Sequence, residues 1–160
     1  MSIPRVGVLL AYQSKDTPTS SPEYLCVYQD ASKLWGFPKG RWKNFETYTQ
    51  GACRELLEET GIKIHHTELS TNNMYHIKRG KHHHYYFVKE VSRKPVVTVD
   101  GEEIIGYKWM TISDLSKMSV SYFTDQVIKK LTESVPEDNI DNLIKIIETI
   151  TFRNNITISV

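Results

Sequence analysis

The segment from Tyr48 to Thr60 constrains the fold most, because it carries helix signals at both ends and three carboxylates on one side. Thr47 followed by Gln50 has the capping-box spacing, and Gly61 directly after Thr60 is a left-handed stop. The spacing therefore predicts a helix of about 13 residues. With Glu55 at zero on a wheel of 100° per residue, Glu58 falls near 300° and Glu59 near 40°, roughly one 100° arc. Cys53, Leu56 and Leu57 fall between about 100° and 200° on the same wheel, so the helix is expected to bury that side and point its acids outward together. Like charges on adjacent turns repel, and a divalent cation removes that penalty. Carboxylate oxygens suit hard Mg2+ or Mn2+, which keep several waters and bridge protein carboxylates to substrate phosphates. Three acids alone are more often a solvated helix face.

The flanking residues reverse that reading. Gly40, Glu46, Arg54-Glu55-Leu56, Glu58-Glu59 and Gly61-Ile62 match every fixed position of the pattern G-x5-E-x7-R-E-U-x-E-E-x-G-U, where U is a bulky aliphatic residue. From average amino-acid usage, a full chance match is on the order of one in a billion per starting residue. The pattern is the Nudix box, and the chain resembles the Nudix hydrolase superfamily. The resemblance implies metal-dependent cleavage of a diphosphate linkage in a nucleotide-like substrate. It implies that Glu55, Glu58 and Glu59 carry the metals, with the Lys39 carbonyl as a further ligand. Arg54 paired with Glu46, together with Gly40 and Gly61, would be structural. The order of elements from about Arg5 to about Met118 is similar to the superfamily's sandwich, a mixed sheet between helices.

Diphosphate cleavage also needs an activated water and cations that neutralise the attacking and leaving oxygens. Glu103, six residues before Trp109, resembles in spacing a glutamate of the decapping and dinucleoside polyphosphate branches. It is the leading choice for base or extra metal ligand, with Glu55 second; an ordinary charged turn at Asp100 to Glu103 is the competing reading. The run Trp35 to Gly40 is similar to the segment preceding the box in dinucleoside polyphosphate hydrolases and mRNA decapping enzymes. Lys39 and Arg41 are then placed to meet phosphates, and Trp35 is the best stacking residue. The densest basic stretch, His76 to His84, adds Lys78 and Lys81 as substrate-binding candidates beside Tyr85 and Tyr86. On a strand His82 and His84 share one face and His83 the other, so local geometry excludes a three-histidine zinc site.

At 160 residues, 39% hydrophobic and 24% charged, the chain suits one globular domain, with a core at about 5–118 and a helical extension at about 120–150. Strand runs are expected at Arg5 to Tyr12, Glu23 to Tyr28, Ile62 to Ile64, Met74 to Lys78, His83 to Val91, Val96 to Val99 and Ile104 to Met110, the first two as a pair. Helical spacing returns at Ile112 to Met118, Tyr122 to Leu131 and Ile140 to Ile150. Strands interrupted by one central helix and closed by others indicate an α/β or α+β sandwich. The net charge of +1 gives no global nucleic-acid footprint, so a polyanion must be held by a local patch. A net acidic C-terminal region argues against long-RNA binding. No apolar run is long enough for a membrane span, no secretory leader is visible, and Cys26 and Cys53 read as reduced thiols, so a cytosolic setting is expected. The expected partner is a nucleotide-like small molecule or a capped RNA 5′ end. The alternatives are a diphosphoinositol polyphosphate hydrolase and a non-catalytic nucleotide-binding protein of the same fold.

Overall fold

The strand β1 (Arg5–Tyr12) is the axis of the sheet, with six of its eight residues buried, as its nearly unbroken apolar run requires. In a computed structural model, which describes residues 2–17, 20–133 and 147, β1 is flanked on both sides. It pairs antiparallel with the short β4 (Lys39–Arg41) and in parallel with β6 (His82–Val91), from Arg5 opposite His84 to Tyr12 opposite Val91. β2 (Glu23–Gln29) touches β1 only at Ala11 and Tyr12, so the expected early pair is confined to its loop end. The main partners of β2 are β3 (Leu34–Gly36) and β7 (Ile104–Met110). β5 (Met74–Arg79) forms a hairpin with β6. The order β3-β2-β1-β6-β5, with β4 joined to β1 and β7 to β2, is a mixed seven-stranded sheet in an α+β arrangement.

The expected helix forms as α1 (Tyr48–Thr60), with both capping-box bonds made: Gln50 N–H donates to Thr47 Oγ1 at 3.2 Å and Thr47 N–H to Gln50 Oε1 at 2.8 Å. Gly61, at φ 72°, donates its N–H to the Leu57 carbonyl at 2.9 Å and stops the helix. Ala52 and Leu56 lie in a buried cluster with Val6, Val8, Leu10 and Phe87, which fixes α1 over β1 and β6. Leu56, Val6, Val8, Leu10 and Phe87 each contribute roughly 1.5–3 kcal/mol on burial.

Three expected elements differ. Ile62 to Ile64 and Val96 to Val99 are not strands. Instead, Thr98 N–H donates to the Thr60 carbonyl at 2.8 Å, so this segment satisfies the end of α1 rather than a sheet edge. The helix expected to run from Ile112 to Met118 is α2 (Ile112–Leu115), followed by turns. Residues 122–133 are helical, in line with the run Tyr122 to Leu131. The expected helix Ile140 to Ile150, apart from Ile147, and the tail from Thr151 lie outside the described residues. Residues 1–128 form one compact unit and Lys129–Val160 a second. Among the described residues no helix is long and apolar enough to cross a membrane.

Candidate active site

The loop between β4 and α1 is held by one ion pair. Arg54 grips Glu46 with two donors, Nη2 to Oε1 at 2.7 Å and Nε to Oε2 at 3.0 Å, and its Nη2 also meets the Arg41 carbonyl at 2.9 Å. The Glu46 side chain is only 7% exposed, and its other contact is the Lys43 N–H at 3.0 Å. Arg54 holds the Glu46 carboxyl below its ordinary range, and Glu46 in turn raises the Arg54 guanidinium above its own. The pairing that the box resemblance implies for Arg54 and Glu46 is thus present. Gly51 makes the close approach possible, since a Cβ there would sit 2.7 Å from Glu46 Oε1. At Gly40 a Cβ would collide with the Glu55 carboxyl group, which gives that glycine its structural meaning.

The three box carboxylates do not point outward together. Glu59 is 6% exposed and the Glu55 side chain 13%, while the Glu58 side chain is 54% exposed. Leu57, expected on the buried side, is exposed. The wheel placed the angles correctly but omitted what closes over them. The Pro38 carbonyl accepts the Val8 N–H at 3.1 Å and lies so close to Gly7 that any Cβ there would collide with it. That contact draws Lys39 over α1, and the Lys39 N–H donates to Glu59 Oε1 at 2.8 Å.

Burial pushes the Glu59 carboxyl up to about 8, against the Lys39 hydrogen bond and ammonium that favour its charge, with the carboxylates of Glu55 and Glu103 pushing upward. Glu55 is raised in the same way by burial, opposed by Arg54. Lys39 is shifted the other way, since burial disfavours its charge more than Glu59, Glu55 and Glu103 restore it. Glu103 thus acts electrostatically on all three from the turn before Ile104, which lines the same cavity as Lys39 and Glu59. It sits in a turn in which Asp100 Oδ1 accepts the N–H groups of Glu102 and Ile104, and its carbonyl accepts the Asp30 N–H at 3.0 Å. Glu103 therefore lies in an ordinary charged turn, near enough for its charge to bear on Lys39, Glu55 and Glu59.

Among the described residues no three His, Cys, Asp or Glu side chains are gathered closely enough to hold a metal ion by themselves. Arg54 is the reason: its Nη1 lies 2.7 Å from Glu55 Oε1 and 3.4 Å from Glu58, while Glu59 is turned to Lys39. The donors nonetheless suit a hard cation, being oxygen-only, with the Glu55 and Glu59 carboxyls raised by burial.

A cavity of about 170 Å3 opens beside Lys39 and Glu59, walled by Trp35, Phe37, Ile104 and Thr124. Trp35 also packs on Tyr28 at 5.1 Å and bridges to Val120, so it is a wall more than a free platform. Arg41 is exposed and lies outside this cavity, next to Arg5 in the β4–β1 register. Lys78 and Lys81 are on the β5–β6 hairpin and do not line it. His84 is buried and His82 exposed, and His83 stacks with His76 at 5.0 Å. Sequence reading missed Arg5, whose charge reaches both Lys39 and His84. Nothing local marks it, because its neighbours arrive from β4 and β6.

The sequence model described as the NUDIX domain matches residues 3–131. The chain belongs to this family. With it goes the hydrolase class expected from the box. Among curated proteins, no sequence matches this NUDIX chain significantly. Solved structures resemble it in fold. A C. elegans Ap4A hydrolase in a binary complex has a TM-score of 0.66 at 18% identity, covering 82% of this chain and 97% of its own. The NUDIX domain of Shewanella oneidensis NrtR complexed with ADP ribose has 0.66 at 17%, covering 84% and 89%. A bifunctional NMN adenylyltransferase/ADP ribose pyrophosphatase from Francisella tularensis, complexed with AMP and a manganese ion, has 0.61 at 21%, covering 84% and 42%.

Proposed function

We propose that this NUDIX protein is a Mg2+- or Mn2+-dependent pyrophosphohydrolase that cleaves a phosphoanhydride bond in a nucleoside polyphosphate bridge, either of a dinucleoside polyphosphate or of an mRNA cap. The observation that carries the reading is that the charges of Glu55, Glu59 and Glu103, from two elements distant in sequence, all bear on the half-buried Lys39 beside the cavity. Glu55, Glu58 and Glu59, with the Lys39 carbonyl, would hold the cation. A divalent ion there supplies charge neutralisation along the anhydride and a water of lowered pKa. Glu103 would serve as the base for the attacking water, its exposed turn being tethered by the Asp30 N–H on its carbonyl. The Lys39 ammonium meets the phosphates from inside the cavity, Arg41 from its rim, and Trp35 and Phe37 wall the space next to the reacting groups. Arg54 and Glu46 hold the loop that carries these groups. Two free thiols accord with a cytosolic setting.

The test is a metal-dependent panel of diadenosine tetraphosphate, capped RNA, a diphosphoinositol and simple nucleotides. Product from one of the first two, abolished by chelation, is expected. Nucleotide binding with no product from any of the four would overturn the enzyme reading.

A further inference from the structure

Away from the carboxylates, an open cleft of about 1030 Å3 lies at the start of α1, walled by Trp42, Phe45, Tyr48 and Tyr85 with Lys43 and Lys81 at its margin. Its rings form a ladder. Trp42 meets Tyr48 edge-on at 5.4 Å, Tyr48 lies 4.8 Å from Tyr85, and Tyr85 stacks on His76 at 4.4 Å with planes 7° apart. Phe45 stands beside them 80% exposed. Its loop is pinned on both sides, by the Trp42 indole donating to the Glu46 carbonyl at 2.8 Å and by the Lys43 N–H on Glu46 Oε1. The apolar ring is therefore displayed on a fixed backbone and fills no core.

A second recess, of about 300 Å3, shares Ser2, Ile3 and His83 with this cleft and is lined by Arg5 and Arg41. Neither wall contains an Asp or Glu. Arg41 stands two strand residues from Lys39 on β4, roughly 7 Å at strand rise. Cations leading from the reacting centre into an acid-free, ring-lined cleft match the chemistry of a single strand, whose phosphates need positive charge and whose bases need π-faces.

We propose that the two recesses form one groove for a short single-stranded RNA segment continuing from the scissile diphosphate, with phosphates on Arg41 and Arg5 and a base against Phe45 and Tyr48. The proposal rests on the nucleoside polyphosphate reading and, within it, selects an RNA 5′ end over a dinucleoside polyphosphate. The groove is local, which accords with a net charge of only +1.

Binding is measured on the metal-free full chain, by quenching of tryptophan fluorescence with an uncapped RNA of eight nucleotides and with AMP. Turnover is then measured with Mg2+ on a capped RNA of that length and on the cap dinucleotide. The oligonucleotide should bind at least about tenfold more tightly than AMP. Phe45→Ala should weaken it by roughly five- to a hundredfold, the range of one base stack. The same variant should raise KM for the capped RNA and leave the dinucleotide's kinetics unchanged. Equal affinity for AMP and RNA, or RNA binding untouched by Phe45→Ala, would overturn the groove. Because the binding arm needs no turnover, it decides the groove even if the hydrolase reading fails.

Discussion

Glu59 Oε1 accepts the backbone N–H of Lys39 at 2.8 Å, which joins the end of α1 to the strand leading into the box loop. A carboxylate 6% exposed is thereby fixed against the residue whose ammonium it also faces. The bond favours the Glu59 charge, while burial sets its shift upward.

Glu59→Gln keeps a carbonyl oxygen for the Lys39 N–H while removing the buried charge. The wild-type carboxyl titrates near 8 in the folded protein and about 4.3 when unfolded. Its stabilisation is therefore full below about 4.3 and is lost as pH rises to about 8. In chelator, the wild-type melting temperature should fall across that window, and the variant's should fall less. Parallel pH curves for the two proteins would show that Glu59 is not the buried acid responsible. The variant should also lose turnover, as the ligand role proposed for Glu59 requires.

For Glu103→Gln, kcat should drop by about 10² or more with thermal stability unchanged, since a positioned base contributes that much and the side chain is exposed. A loss of less than about tenfold would move the base role to another residue.

Breaking the Arg54–Glu46 pair with Arg54→Ala strands a carboxylate that is 7% exposed. Fully buried pairs cost about 3–5 kcal/mol to break and exposed ones under about 1, so a partly exposed Arg54 suggests about 2–3 kcal/mol. Urea denaturation measures this, and a change under about 1 kcal/mol would mean that the loop holds itself. Arg54→Lys should recover only part, because an ammonium lacks the fork.

His84 governs the acid limb. It is buried, stacked on Phe123 at 3.5 Å and hydrogen-bonded to the Tyr86 hydroxyl at 3.0 Å. Burial, with the charges of Lys39, Arg5 and His82, lowers it to about 3. Between about 6.5 and 3 the unfolded chain takes up a proton that the folded one refuses, so stability falls with pH at up to about 1.4 kcal/mol per unit. His84→Gln should flatten that slope by up to one proton's worth, as read from denaturation at several pH values.

The elements legible in the sequence are those whose signals are local. The capping box at Thr47, the stop at Gly61 and the apolar run of β1 each specified their element within one stretch of chain, and each was found within a residue. The pairing of Arg54 with Glu46 was legible through the box resemblance, and nearness of Glu103 to the site through spacing. What stayed hidden depends on packing between distant segments. Glu59 looked exposed because nothing near it announces the Pro38–Gly7 contact that brings Lys39 down. Val96 to Val99 has strand composition, yet Thr98 N–H serves the end of α1, a demand written some forty residues earlier. Phe45 passed unnoticed, since one aromatic residue in a polar loop has no pattern to betray it.

The side-by-side run of β1 with β6 joins segments about eighty residues apart in sequence. Such non-local pairing is slow to nucleate, because the loop must close before the contacts reward it. A growing chain therefore exposes its acidic helix before β6, the later-made part of the floor beneath it, exists. Competence to cut should appear late and all at once, after the hairpin has been made, so a truncated or nicked product lacking β6 would be inert rather than indiscriminate.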